Sequence, residues 1–281
     1  MKILLLGASG YVGGALWRGL SPHHTVVGTC SQRTVPGLVK VDLRDEAALS
    51  ALVGQGFDLV IHAAGLVDLA SAEAQPALAH ALNVHSVQVL LTAVRHTRTK
   101  ILLLSSDNVF DGTGDVYTEE DPRAPVNVYG RTKCAAEDVL LSHGGGHLVV
   151  RIPLVYGRSP WADRFMARFS AAVTRAQTDV VCAPLYLPSL APALEELWDH
   201  RGLLHVAGAE VVTRYELMSG VAEALRLPTR VVPVRNDDVF TSPRRPERLV
   251  LRSVHHGFLG PDVETALADM AKAKGSTEET P

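Results

Sequence analysis

Short, wholly apolar runs alternate along the chain with longer stretches of helical spacing. Residues 2–6, K-I-L-L-L, are the first such run and predict a fully buried strand. A glycine-rich turn and a helix to about Leu20 follow. Thr25–Gly28 and Leu38–Val41 predict the next two strands, 45–53 a helix, and Asp58–His62 a fourth strand. A long helical pattern covers 72–96, and Lys100–Ser105 form another apolar strand. A loop with Gly112, Gly114, Pro122 and Pro125 leads into a helix from about Tyr129 to Ser142, and His147–Ile152 form a further strand. Strands of this kind separated by helices predict an α/β fold: a doubly wound parallel sheet of the Rossmann type with right-handed crossovers.

Beyond Gly157 the pattern loosens. Helices are expected at 160–176, 189–200 and 213–226, with short strands near 180–183, 203–206 and 230–234. This divides the chain into a dinucleotide-binding part (1–157), a smaller C-terminal substrate lobe (158–270) and a polar tail (271–281) expected to be disordered.

Composition adds exclusions. The 281 residues are 47% hydrophobic and 20% charged with a net charge of −3, so no basic field invites nucleic acid or an anionic membrane. Cys30, Cys134 and Cys182 fit neither a disulfide framework nor a metal knuckle. No metal is expected, because His143 and His147 flank glycines with no carboxylate or thiol beside them. No apolar run approaches the roughly 20 residues of a membrane helix, and no leader pattern precedes the first strand, so a cytoplasmic protein is expected.

The first candidate chemistry is G-A-S-G-Y-V-G at 7–13, set between a strand and a helix. Gly7 permits the sharp turn, Gly10 lets the backbone approach a pyrophosphate, and Gly13 lets the helix pack on the sheet, with Ser9, Tyr11 and Val12 lining the same loop. The second strand ends in T-C-S-Q-R without the carboxylate that would receive a ribose 2′-hydroxyl. Ser31 and Arg33 could donate to a 2′-phosphate instead, which predicts NADPH over NADH; the alternative for Arg33 is a solvated loop position. Asp42 and Leu43, after the third strand, are candidates for the adenine, with a helix cap as the other reading of Asp42. Ala63, Ala64 and Gly65 follow the fourth strand, small enough for backbone to pass beneath a cofactor or simply to turn.

Tyr129 and Lys133 stand one helical turn apart and share a face. A nearby ammonium favours the phenolate and brings a tyrosine toward working range. Ser106 follows the apolar strand at 100–105, at the sheet edge where such folds place ligands. Together they predict reduction of a carbonyl: Tyr129 supplies the proton, Ser106 steadies the developing negative charge, and Lys133 also meets the nicotinamide ribose. Trp161, followed by Arg164, could stack on a base or pack a helix; Arg244 and Arg245 could meet a diphosphate or lie on the surface.

These residues sit in blocks that resemble the dTDP-4-dehydrorhamnose reductase family of extended short-chain dehydrogenases. The blocks are S-S-D-N-V-F-D-G (105–112), Y-T-E-E-D-P-R-A-P-V-N-V-Y-G-R-T-K (117–133), H-A-A-G-L-V-D (62–68), R-I-P-L-V-Y-G (151–157) and R-P-E-R-L-V-L (245–251). The resemblance covers about residues 1–255 and implies that Ser106, Tyr129 and Lys133 form the catalytic trio. It also implies that Asp107 and Asn108 line the substrate pocket and that Asn83 lies near the active site, a core hydrogen bond being the other reading of Asn83. Asp107 is followed by Asn108 where related dehydratases carry an acidic pair, which favours reduction over elimination of water. Ala15 stands where some members carry a metal-bridging glutamate, so a metal-bridged dimer is not expected. The helices at 72–96 and 129–142 fit a homodimer or burial on the sheet. The leading expectation is NADPH-dependent reduction of the 4-keto group of a nucleotide-linked deoxysugar. A nucleotide-sugar epimerase and a non-catalytic dinucleotide-binding regulatory subunit are the alternatives.

Overall fold

The computed structural model describes residues 1–144, 146–238, 243 and 245–278; Arg244 lies outside the described residues. The apolar runs become strands: β1 (Lys2–Leu6), β2 (Thr25–Cys30), β3 (Val39–Lys40), β4 (Leu59–His62), β5 (Lys100–Ser106) and β6 (Leu148–Ile152). With the strand Gly202–His205 they form one seven-stranded sheet, ordered Gly202–His205, β6, β5, β4, β1, β2, β3. Every pairing in it is parallel. The order reverses between β1 and β4, so a crevice opens at the carboxyl ends, where open α/β sheets hold ligands.

The helices are α1 (Tyr11–Leu20), α2 (Glu46–Val53), α3 (Leu69–Ala74), α4 (Pro76–His80), α5 (Ser86–Val94), α6 (Val128–Ser142), α7 (Leu190–Leu197), α8 (Arg214–Ala224) and α9 (Val263–Glu278). They explain why the strands read as unbroken apolar runs, since both faces of the sheet are covered. On one face Leu16 and Leu20 of α1 and Leu190 and Leu194 of α7 pack on Ile3, Leu5, Ile61 and Leu102. On the other, Leu49 of α2, Leu90 of α5 and Leu140 of α6 cover Leu4, Leu6, Val60 and Leu103.

Several expectations are corrected. The helical pattern over 72–96 is broken twice. Pro76 clashes with a helical residue before it, leaving Gln75 at φ −135°, ψ 64° and separating α3 from α4. Ala81–His85 then wind as a π-helix, a form that recurs at functional sites, and Asn83 within it is fully buried. By length and composition Pro76–Val94 would also serve as a membrane span, with a mean hydropathy of 1.4, contrary to the reading from run lengths. In this fold it is a core element, its Val87, Leu90 and Val94 packed against the sheet.

The helix expected at 160–176 does not form. Met166–Phe169 make a 3₁₀ turn, and Val173–Gln177 are a strand paired in parallel with Arg230–Val234. The strand expected near 203–206 belongs to the main sheet, not to a lobe. With it goes α7, which lies so close to α1 that a Cβ on Gly19 would stand 2.6 Å from Ala191 Cβ. The lobe's own core gathers Tyr156, Phe165, Leu217, Val221 and Met270. The tail is helical as far as Glu278 within α9, which Ala266 and Met270 anchor.

Candidate active site

β1 runs directly into the glycine-rich turn. Gly7 has φ 85°, and its amide donates to Thr29 Oγ1 at 3.0 Å. A Cβ on Gly7 would meet Ala64 Cα at 2.8 Å, and one on Gly13 would meet the Gly7 carbonyl oxygen at 2.0 Å. Both positions therefore need glycine. The Ser9 amide donates to Thr29 O at 3.3 Å, and Val12 packs into the core. Gly10 caps α1 without a side chain, so the first-turn amides of Tyr11, Val12 and Gly13 are available to an anion. The Tyr11 hydroxyl donates to Gly157 O at 2.7 Å, and Ser159 Oγ donates to Tyr11 O at 2.7 Å. The segment after β6 thus lies across the first turn of α1. The cradle fits the pyrophosphate of a dinucleotide.

At the end of β2, Ser31 and Arg33 are exposed. Arg33 Nη1 donates to Trp161 O at 2.6 Å. Trp161, expected at the substrate, therefore stands at this end of the crevice, its ring centroid 5.6 Å from that of Trp17 in α1. Asp42 does not take the helix-cap reading. Hydrogen bonds from Arg44, with Nη2 at 2.6 Å and Nε at 3.0 Å, occupy its carboxylate and hold it below the usual range. The α2 cap is Asp45, which accepts from Ala48 N at 2.9 Å. The Leu43 side chain is buried in the core. Ala63, Ala64 and Gly65 follow β4; the Ala63 amide donates to Leu6 O at 3.1 Å, and Gly65 has φ 145°.

Ser106 is the last residue of β5, in register with Ile152 of β6. Asn127 brings the next element to it. Its Oδ1 caps α6 by accepting from Gly130 N at 2.8 Å, and its Nδ2 donates to Asn108 Oδ1 at 3.3 Å. One buried side chain thereby ties the turn after β5 to the start of α6. Gly130 makes the approach possible, since a Cβ there would stand 2.1 Å from Asn108 O.

Tyr129, Lys133 and Ser106 come together in this corner, all nearly buried. Lys133 Nζ lies 5.9 Å from the Tyr129 ring centroid and donates to Leu104 O at 2.9 Å. Burial pulls Lys133 down to about 8, against the charge of Glu137 one turn on. The phenol behaves differently from the sequence expectation. Burial drives Tyr129 far above its ordinary value; a hydrogen bond with Ser106 works against the rise and the Asp107 charge adds to it. At neutral pH the phenol holds its proton. Ser106 Oγ donates to Asp107 Oδ1 at 3.0 Å, and Asn108 Nδ2 donates to the same oxygen at 2.9 Å. Burial raises Asp107 to about 6 despite those bonds.

Asn83, expected near the active site, makes the core hydrogen bonds of its other reading. Its Oδ1 accepts from Leu66 N at 2.8 Å and its Nδ2 donates to Thr132 Oγ1 at 2.9 Å. It is wholly buried, and it locks the loop after Gly65 onto α6.

Two groups escaped the sequence reading. Behind Lys133, the buried Glu137 accepts from Arg151 Nη2 at 2.7 Å and Nε at 2.9 Å, from Arg123 Nη1 at 3.1 Å, and from Ser105 Oγ. On the lobe side, four guanidinium groups act on one another. Burial and then the charges of Arg214, Arg245 and Arg164 pull Arg168 down to about 10. Arg245 is lowered by burial and by Arg214, with Asp68 opposing. The Arg214 charge also works against the rise of Asp107, the residue after Ser106. A bound polyanion would relieve this repulsion. Arg168 and Arg214 belong to no motif and sit on separate segments, so no local pattern marked them.

Known proteins share this architecture. A family model described as the RmlD substrate binding domain matches residues 1–273. Methionine adenosyltransferase 2 subunit beta from Xenopus laevis is 30% identical over 269 residues, covering 86% of this chain and 78% of its own length. dTDP-4-dehydrorhamnose reductase from Mycolicibacterium smegmatis is 31% identical over 296 residues, covering 100% of this chain and 88% of its own length. The crystal structure of dTDP-4-dehydrorhamnose reductase from Bacillus anthracis in complex with NADP superposes with a TM-score of 0.86 at 20% identity, over 97% of this chain and 99% of that one. That likeness is one of fold, whereas the family match covers residues 1–273. This chain belongs to the RmlD substrate binding domain family, the dTDP-4-dehydrorhamnose reductase branch of the extended short-chain dehydrogenases.

Proposed function

We propose that the protein is a cytoplasmic NADPH-dependent reductase of the 4-keto group of a nucleotide-linked deoxysugar. The observation that carries this reading is the convergence of Tyr129, Lys133 and Ser106 at the carboxyl end of β5, beside the cradle formed by Gly7, Gly10 and Gly13. NADPH held in the cradle of Gly7, Gly10 and Gly13 would supply a hydride to the carbonyl carbon. Tyr129, kept protonated by burial, gives its proton to the oxygen as negative charge builds there. Ser106 turns its one hydroxyl proton from Asp107 to the same oxygen, while the Asn108 amide keeps the serine oxygen in place. Lys133 presents a cation against the resulting phenolate and stabilises it until solvent returns the proton. The ketone thus gains one hydride and one proton and leaves as an alcohol.

The lobe is the substrate side in this reading. Arg164, Arg168, Arg214 and Arg245 suit a nucleoside diphosphate, whose two charges meet a cluster otherwise self-repelling. The Mycolicibacterium relative, a dTDP-4-dehydrorhamnose reductase by name, supports that substrate class. A second reading has one specific support: the Xenopus relative is named as a subunit of an adenosyltransferase, so a dinucleotide-binding regulatory subunit is the alternative.

The test is NADPH consumption, followed by its absorbance, with a panel of dTDP- and UDP-linked 4-keto sugars. Turnover with at least one of them, and its loss by at least about a hundredfold in Tyr129→Phe with dinucleotide binding retained, is expected. A folded, dinucleotide-binding protein that turns over none of them removes the reductase reading in favour of the subunit. Dinucleotide that stays bound through purification, with no net oxidation, points to an epimerase.

A further inference from the structure

Ser106 carries one hydroxyl proton, and two acceptors claim it. In the free protein that proton points at Asp107 Oδ1, 3.0 Å from the serine oxygen. The reductase reading sends the same proton to the carbonyl oxygen of the substrate. The serine has no second proton to give, and its oxygen already accepts from the Asn108 amide at 3.2 Å.

Asp107 is then left with the Asn108 side chain, whose Nδ2 stands 2.9 Å from the same Oδ1. Asn127 Nδ2 donates to Asn108 Oδ1 at 3.3 Å, which fixes that side chain with its nitrogen toward Asp107. That bond is already made and does not replace the one withdrawn. At 5% exposure the carboxylate has little water to replace it. A buried carboxylate that loses a hydrogen bond holds a proton more tightly. Three other elements bring titratable or charged groups to Asp107. Burial holds Tyr129, at the start of α6, and Cys182, in the strand Val181–Cys182, in their neutral forms. Arg214, the first residue of α8, supplies a cation that favours the ionised carboxylate. A substrate diphosphate on Arg214 would answer that charge and withdraw its support from Asp107. Both changes act in the same direction.

We propose that Asp107 takes up a proton when the keto sugar binds, and that this uptake frees the Ser106 hydroxyl to face the carbonyl. The bond between the two residues reverses: the carboxylic acid donates to Ser106 Oγ, and Ser106 donates to the ketone. The proton comes from solvent and returns to it when the product leaves. Asp107 is thus a positioning residue that acts through Ser106, and the inference rests on the reading of this chain as a reductase. Burial sets Asp107 at about 6 in the free protein, so at pH 7 the carboxyl is mostly ionised and the proton has to be acquired. Below that value the proton is already present and binding is insensitive to pH; above it, binding weakens as pH rises.

The test uses the full chain saturated with NADP⁺, which has no hydride to give, so that binding is read without turnover. The probe is dTDP-4-dehydrorhamnose, or the keto sugar of the NADPH panel turned over fastest where that differs. Titration calorimetry at pH 7 in PIPES and in imidazole, buffers of different ionisation heat, counts the protons bound. Wild type should take up more than about half a proton per site, and its Kd should rise about tenfold from pH 6 to pH 7.5. Asp107→Asn cannot titrate and should lose both the uptake and the pH dependence. In Ser106→Ala the carboxyl lacks the serine bond before substrate arrives, so uptake should fall below about half that of wild type. No uptake by wild type, or uptake that persists in a folded Asp107→Asn protein, overturns the proposal. If that variant fails to fold, Ser106→Ala decides, and undiminished uptake overturns it. Keto-sugar binding without proton uptake defeats this inference alone, whereas a protein that binds no keto sugar and oxidises no NADPH loses the reductase reading as well.

Discussion

Lys133 carries its ammonium in a corner that leaves the residue 4% exposed, with its pKa pulled down to about 8. The ordinary lysine value is near 10.4, and each pH unit corresponds to about 1.4 kcal/mol, so keeping this group charged in the folded state costs about 3 kcal/mol at neutral pH. The sign follows from proton binding. The unfolded chain holds the Lys133 proton more tightly than the folded one. The destabilisation is therefore fully present below about pH 8 and fades as pH rises toward the ordinary lysine value. Lys133→Met keeps a long, flexible side chain and removes the charge. Loss of the 2.9 Å bond to Leu104 O costs about 1 kcal/mol in return. The variant should therefore be more stable than wild type by about 2 kcal/mol at pH 7, and by little or nothing at pH 10. Urea denaturation of both proteins at the two pH values, followed by far-UV circular dichroism, measures the difference. A variant less stable than wild type at pH 7, or an advantage unchanged at pH 10, refutes the reasoning. The same substitution should abolish reduction, which makes Lys133 a position where activity and stability oppose each other.

Two further outcomes follow from the same corner. Gly130→Ala would press a methyl group onto Asn108 O, 2.1 Å from the ideal Cβ position. It should lower stability by about 2 kcal/mol and turnover by about tenfold or more, read by thermal melting and NADPH oxidation. Glu137→Leu strips the buried Arg151 of its bidentate partner. A loss of about 3–5 kcal/mol is expected, a fall in melting temperature on the order of 10 °C. A fall of less than about 2 °C would show that Arg151 finds another acceptor.

The legible parts of the chain were those where local pattern and tertiary role coincide. K-I-L-L-L followed by glycines at 7, 10 and 13 admits few structures, because strand burial and turn geometry both act within a few residues. Ser106, Tyr129 and Lys133 were legible through strand-end and helix-face placement. The misreadings had remote causes. Val173–Gln177 look helical in isolation and become a strand because Arg230–Val234 lie alongside. The α2 cap fell to Asp45 and not Asp42, whose carboxylate turns instead to Arg44, two residues on. Asn127 was overlooked as the cap that sets Tyr129, although an asparagine just before a helix is a local signal. The fall of the Tyr129 phenolate expected from Lys133 failed because burial outweighs a cation whose own proton is directed at Leu104 O.

The Gly202–His205 strand has a consequence for biogenesis. Six of the seven ribbons of the sheet have been made once Ile152 is added, yet the outer border at Leu148–Ile152 stays bare until His205 emerges. During that interval an apolar, hydrogen-bond-hungry margin faces solvent, the kind of surface that recruits chaperones or other nascent chains. Cutting the gene after Gly157 would make that vulnerable interval permanent, so the nucleotide-binding half cannot be harvested as a well-behaved fragment.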